Sequence, residues 1–131
     1  LKVNKDKKYP NSPSGMPGVQ TLMSVMLNHI NDGNLSLKQL MNLVCENPVQ
    51  IFGIKNKGFI KEGFDADFTI VDMNKKIVIK NENIESKCRW SPFDGFEFKG
   101  TPVLTIIAGK IKMKNGRILG EPEGCPLVFD N

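Results

Sequence analysis

The apolar residues change their period once, near Lys57-Gly58, and that change limits the fold more than any other feature of the chain. Before it, hydrophobic side chains recur every three or four positions, which is the repeat of one helix face. After it, they run in short β-type blocks or alternate with polar residues. Val19, Leu22, Met23, Met26, Leu27 and Ile30 keep helical spacing and predict a helix over 19–31, ended by Asp32-Gly33. Ser36 followed by Gln39 has the capping-box pattern, and Leu37, Leu40, Met41 and Val44 form the stripe of a second helix over 36–46. Pro48 cannot donate to a helical ladder, so the expectation is a fresh short turn. Asn47 would cap it, Pro48 would stand at its first position, Ile51 and Phe52 would point inward, and Gly53 would stop it.

In the second half, strands are expected over 67–72 and 76–80, joined by a polar link from Asp72 to Lys76. Residues 80–100 read as irregular. A strand over 103–108 turns at Ala108-Gly109 into strands over 110–114 and 117–119, paired about the hairpin signal Asn115-Gly116. The fold class is α+β. The helical half has one-sided stripes and no strand of its own, so its twelve apolar side chains need cover from the β half or from chain beyond this sequence. Without that cover, a large apolar face is expected on residues 19–52.

Composition removes several function classes. Of 131 residues, 40% are hydrophobic and 24% charged, which is the balance of one folded domain with or without a tail. No apolar run is long enough for a transmembrane helix, and Leu1 to Lys8 has no signal-peptide core. The missing initiator Met points to a piece of a longer chain. Net charge is 18 − 14 = +4, with Lys2, Lys5, Lys7 and Lys8 clustered at the start. One Trp and one Tyr give no stacking platform, so that run reads as a solvated loop and not as a nucleic-acid site. Cys45, Cys88 and Cys125 are odd in number and widely spaced, which fits free thiols in a reducing cytoplasm. With His29 they have no zinc-ligand spacing, and His29 itself reads as a surface or boundary residue. Asp65-Ala66-Asp67 offers paired carboxylates of the kind that hold divalent cations. Gly63 before it and a strand after it support a second reading, a turn leading into that strand. There is no His cluster, nucleophile with a base or phosphate loop.

Four stretches together resemble the dihydroorotases of the amidohydrolase superfamily. Pro13-Ser14-Gly15-Met16-Pro17-Gly18-Val19-Gln20-Thr21 resembles the loop that leads into their last barrel helix. Asn47-Pro48-Val49-Gln50-Ile51-Phe52-Gly53-Ile54 is similar to the N-P-A-x-I-F-G segment of the superfamily. Lys57-Gly58 through Gly63-Phe64-Asp65-Ala66-Asp67 resembles the G-x-I-x-x-G-x-D-A-D lead into the C-terminal strands. Ser91-Pro92-Phe93-Asp94-Gly95, Gly100-Thr101-Pro102-Val103 and Gly120-Glu121-Pro122-Glu123-Gly124 resemble the dihydroorotase tail.

The resemblance implies the last helices of a (β/α)8 TIM-like barrel over residues 1–58. Residues 59–131 would then be the C-terminal part of a small β-sandwich with its tail. It implies a zinc-dependent enzyme that interconverts N-carbamoyl-L-aspartate and L-dihydroorotate in pyrimidine biosynthesis. The family's metal ligands are a His-x-His pair, a carboxylated Lys, two further His and an Asp, and none of them has a counterpart here. Catalytic and metal-ligating residues are therefore expected to number none, and the 131 residues alone to be inactive. Ser14 and Gly15 correspond to positions whose backbone approaches the substrate ring. The implied partners are a small-molecule substrate, the upstream part of the same polypeptide, and a second copy or aspartate transcarbamoylase. Two other readings stay open: a related hydantoinase, dihydropyrimidinase or allantoinase, and a non-catalytic dihydroorotase-like structural partner.

Overall fold

A computed structural model describes residues 5–130. Lys2, one of the four clustered lysines, lies outside the described residues. In chain order the elements are α1 (Leu22–Asn31), α2 (Leu37–Met41), a π-helical turn (Asn42–Glu46), α3 (Asn47–Phe52), β1 (Phe68–Val78), a 3-10 turn (Asn81–Asn83), β2 (Glu97–Ile107), β3 (Lys110–Lys114) and β4 (Arg117–Ile118). The strands form one sheet in the order β1-β2-β3-β4, antiparallel from β2 to β4. The chain forms two compact units. Among the described residues, the first comprises 5–31 and 73–101, the second 32–72 and 102–130.

The first unit owns most of the buried apolar core. Ile79, Ile84 and Phe98 are buried together, with Val25, Ile77 and Phe93 packed on them. Phe93 meets Phe98 edge to face at 5.6 Å. Helix α1 begins at Leu22, three residues later than its apolar stripe predicts. The Thr21 and Leu22 amides close a turn on the Gly18 carbonyl at 3.1 and 2.9 Å, and Val19 stands in that turn, 93% exposed. The helix is seated by its polar residues as well as by Leu27. Asn31 Nδ2 stands 3.1, 3.0 and 2.9 Å from the Leu27, Met73 and Lys99 carbonyls, which share its two N–H donors, and the Lys99 amide donates to Asn28 Oδ1 at 2.9 Å. Gly100 makes this approach possible. Its φ is +103°, and a Cβ there would stand 2.6 Å from Leu27 Cβ.

Two strand expectations need correction. The polar link from Asp72 to Lys76 is not a link but the middle of β1. Asp72, Asn74 and Lys76 are exposed while Met73, Lys75 and Ile77 are half-buried, so the two-residue alternation survives although apolar character does not. Strand β2 begins at Glu97 rather than 103, with Gly100 and Pro102 inside it. Those two residues mark an irregular strand, and they hid it.

In the second unit, the capping box at α2 is complete. Gln39 N donates to Ser36 Oγ at 3.2 Å, and Ser36 N donates to Gln39 Oε1 at 2.9 Å. The helix then widens, and the Asn47 amide donates to the Asn42 carbonyl five residues back. Asn47 is therefore a helical residue and not a cap, and the helix runs on through Pro48 to the left-handed Gly53. The wide turn carries the chain up to a residue that has no N–H for an α ladder. Ile51 and Phe52 do not point inward, being 74% and 65% exposed. Of the twelve apolar side chains that need cover, only Leu27 and Leu40 are buried, while Val19 and Leu22 in the first unit and Leu37, Met41, Ile51 and Phe52 in the second are exposed. Strands β3 and β4 close the hairpin at Asn115-Gly116, with φ of 50° and 81°. A bulge between Thr105 and Ile106 shifts the β2–β3 register.

Candidate functional site

The loop before α1 carries the two residues singled out for substrate contact. Ser14 and Gly15 are both exposed, and Gly15 has a φ of +81° with nothing within 4 Å of where a Cβ would stand. Lys5 Nζ donates to both the Pro13 and the Gly15 carbonyl, and Ser12 Oγ donates to the Lys5 carbonyl at 3.1 Å. The loop thus turns two carbonyls toward one ammonium. Among the described residues, no hydrogen bond is made by the Ser14 or Gly15 amide or the Ser14 hydroxyl. These groups face solvent with their donors unspent. The lysine run suggested only a solvated surface for Lys5. A cation eight to ten residues before a Pro/Gly-rich loop was the one signal that could have marked it as a tether.

Downstream, Gln20 fixes the end of the same loop. Gln20 Nε2 donates to the Asn83 carbonyl at 2.8 Å, and the Glu85 amide donates to Gln20 Oε1 at 2.9 Å. The segment it grips is anchored from below by buried Ile84. Asn81 also holds it in place, donating from N and Nδ2 to the Asp94 carboxylate at 2.8 and 2.7 Å. Nothing in the sequence marks this clasp, because its partners lie more than sixty positions apart.

The carboxylate pair proves to be a turn device. Lys57 Nζ stands 2.9 Å from Asp65 and pairs with Asp67 as well. Asp67 Oδ1 accepts from the Ala108 amide at 2.8 Å, and the Gly109 amide donates to the Ala66 carbonyl at 2.9 Å. The Lys57 and Ala108 hydrogen bonds hold the Asp67 carboxyl below the usual carboxylate range, and hydrogen bonds to Asp67 and Asp65 raise Lys57. The motif therefore ties the start of β1 to the β2–β3 turn. Farther along, Glu123 is exposed and paired with two lysines. It accepts from Lys110 and Lys112, both at 3.0 Å, and this draws 120–124 along a 510 Å³ groove floored by Ile107, Met113 and Ile118. Those two lysines lower its pKa.

The described residues do not fit a zinc ion. No three His, Cys, Asp or Glu side chains come together among them, an ammonium already lies against Asp65 and Asp67, and His29 is exposed on α1. All three cysteines are free thiols, and burial, then neighbouring Glu46, pushes Cys45 up and away from the thiolate. No helix among the described residues is long and apolar enough to cross a membrane.

A seated helix, a tethered Pro/Gly loop and a D-A-D turn staple define a class before they define a reaction. The chain belongs to the amidohydrolase family, whose profile matches residues 11–112. Within that family it is 41% identical over 115 residues to a dihydroorotase of Pyrococcus furiosus, covering 88% of this chain and 28% of that protein. It is 36% identical to a dihydroorotase of Methanothermobacter thermautotrophicus, covering 88% and 27%. Among solved structures, an L-hydantoinase (dihydropyrimidinase) from Arthrobacter aurescens superposes with a TM-score of 0.81 at 35% identity, covering 85% of this chain and 25% of that one. The chain spans about a quarter of the length of these relatives.

Proposed function

We propose that these residues are part of a metal-dependent dihydroorotase that interconverts N-carbamoyl-L-aspartate and L-dihydroorotate in pyrimidine biosynthesis. The observation that carries this reading is the 41% identity to a dihydroorotase across 88% of the chain. In this reading residues 1–58 end a catalytic (β/α)8 barrel, and 59–131 belong to a β-sandwich and its tail. The zinc site and the general base come from the rest of a longer, cytoplasmic polypeptide. The residues described here do not hold the metal, so no chemical step runs through them. Their part is to bind. The Ser14 and Gly15 backbone donors, unspent in the loop, meet acceptor atoms of the cyclic amide, and the Lys5 tether keeps the Pro13 and Gly15 carbonyls turned away from those acceptors. The exposed apolar faces of α1 to α3 pack on the remainder of the barrel.

The test is ring opening by the complete gene product and by the 131-residue chain, each offered dihydroorotate, hydantoin and dihydrouracil. The expected result is turnover of dihydroorotate by the complete protein well above the other two, and none by the 131 residues. Preference for hydantoin would favour a hydantoinase, the reading supported by the TM-score of 0.81 to an L-hydantoinase.

A further inference from the structure

The loop from Pro13 to Gly18 is held at two ends by side chains of different kinds. At one end Lys5 gathers the Pro13 and Gly15 carbonyls. At the other, the Gln20 amide spends its donor on the Asn83 carbonyl and its acceptor on the Glu85 amide, at 2.8 and 2.9 Å. A primary amide does both from one side chain, whereas a carboxylate only accepts and an ammonium only donates. The far side of the clasp has a fixed place in the first unit. Ile84, between Asn83 and Glu85, is buried against Ile79 and Phe98, and Arg89 Nη1 donates to its carbonyl at 3.2 Å. Gln20 also sits two residues after Gly18, whose carbonyl takes the first amides of the turn into α1. A shift of the Asn83–Glu85 segment would therefore be passed to the loop through Gln20.

We propose that Gln20 is a positioning residue: it references the Ser14–Gly18 loop to the core-anchored Asn83–Glu85 segment and so presets the amides that meet the substrate. This rests on the reading of Ser14 and Gly15 as substrate contacts. A preset loop has less ordering to do when substrate binds, so losing the clasp weakens binding more than it slows chemistry.

The experiment uses the complete protein as wild type, Gln20→Ala and Gln20→Glu. Steady-state kinetics with dihydroorotate are read beside amide exchange at Thr21 and Leu22, whose amides close on the Gly18 carbonyl, and at 83–86, and beside the melting temperature. Gln20→Ala is expected to raise KM roughly five- to tenfold with kcat changed less than about twofold. Exchange should quicken at both segments, with the melting temperature nearly kept. Gln20→Glu keeps the bond from the Glu85 amide and sets a carboxylate against the Asn83 carbonyl, so it should fall between the two. An unchanged KM with unchanged exchange at Thr21 and Leu22 overturns the proposal, as does a loss of kcat with KM kept. A wild-type protein that opens no dihydroorotate sinks the functional reading alone. Amide exchange then still decides the clasp: quickened exchange at Thr21 and Leu22 in Gln20→Ala upholds it, and unchanged exchange overturns it.

Discussion

The two units are stabilised by different means. In the first, Leu27, Ile79, Ile84 and Phe98 are buried, as are Thr21, Ser24, Ser91 and Thr101, and the carboxamides of Asn28 and Asn31 bond strand backbone. Its Lys76–Glu97 pair lies on the surface, where such pairs contribute little. In the second unit, Leu40 is the one large apolar side chain buried among the described residues, while Leu37, Met41, Leu43, Ile51 and Phe52 stay exposed. It is held by staples instead. Lys57, Asp65, Asp67 and the Ala108 amide form one. Asp130 N to the Gly53 carbonyl at 2.7 Å and Lys55 N to the Val128 carbonyl at 2.8 Å form another. The contrast teaches where the sequence expects help. A unit with a core can order itself, whereas a unit of staples and bare apolar faces is finished by what covers those faces.

The largest test of this contrast is Phe98→Ala. Truncating a buried aromatic costs about 3–5 kcal/mol, and the loss should appear in amide protection of 22–31 and 73–101. If residues 32–72 lose protection equally, the two units melt as one and the distinction falls. Gly100→Ala comes next. Its Cβ would meet Leu27 Cβ at 2.6 Å in a left-handed backbone, at a cost of about 1–3 kcal/mol for the overpacking alone. Denaturant unfolding of the variant measures that cost. A neutral result would mean that α1 does not need the close seat described here.

The smallest effect is Asp67→Ala, about 1–2 kcal/mol after allowing for partial exposure, confined to the second unit. It also sharpens the comparison by pH. Asp67 is depressed in the folded state, so its contribution is present above its unfolded pKa and lost as pH falls through the folded value. Lys57 is raised, so its contribution is present below its unfolded pKa and lost as pH rises through the folded value. The staple should therefore hold between about pH 4 and pH 10 and weaken outside that window. An acid titration followed by NMR signals of the Ala108-Gly109 turn should lose its lowest transition in the variant. An unaltered titration would remove Asp67 from the account.

Local chemistry was legible where it closed on itself. The Ser36–Gln39 box and the Asn115-Gly116 hairpin each depend on a few neighbouring residues, and each formed as expected. The turn reading of Asp65 and Asp67 was also within reach, although the partner amide at Ala108, forty-one residues away, was not. The middle of β1 was missed because its period survived in half-burial and not in hydrophobicity. Ile51 and Phe52 were misplaced because periodicity says which residues share a face and not what lies opposite it. For the loop, Ser14 and Gly15 came from family likeness alone, and the hydrogen-bond partners of Lys5 and Gln20 were out of reach of any local pattern.

The interleaving of the units bears on how the chain is made. Residues 32–72 interrupt the first unit, and residues 73–101 interrupt the second, with β1 and β2 each contributing to both. On a ribosome adding roughly 5–20 residues per second, α1 emerges several seconds before the strands it sits on. The second unit's helices arrive during that wait with their apolar faces bare, and their closing strands come last of all. Neither unit can settle domain by domain in the order of synthesis. Translation speed through the middle of the message thus sets how long α1 waits for the Met73 and Lys99 carbonyls that seat it.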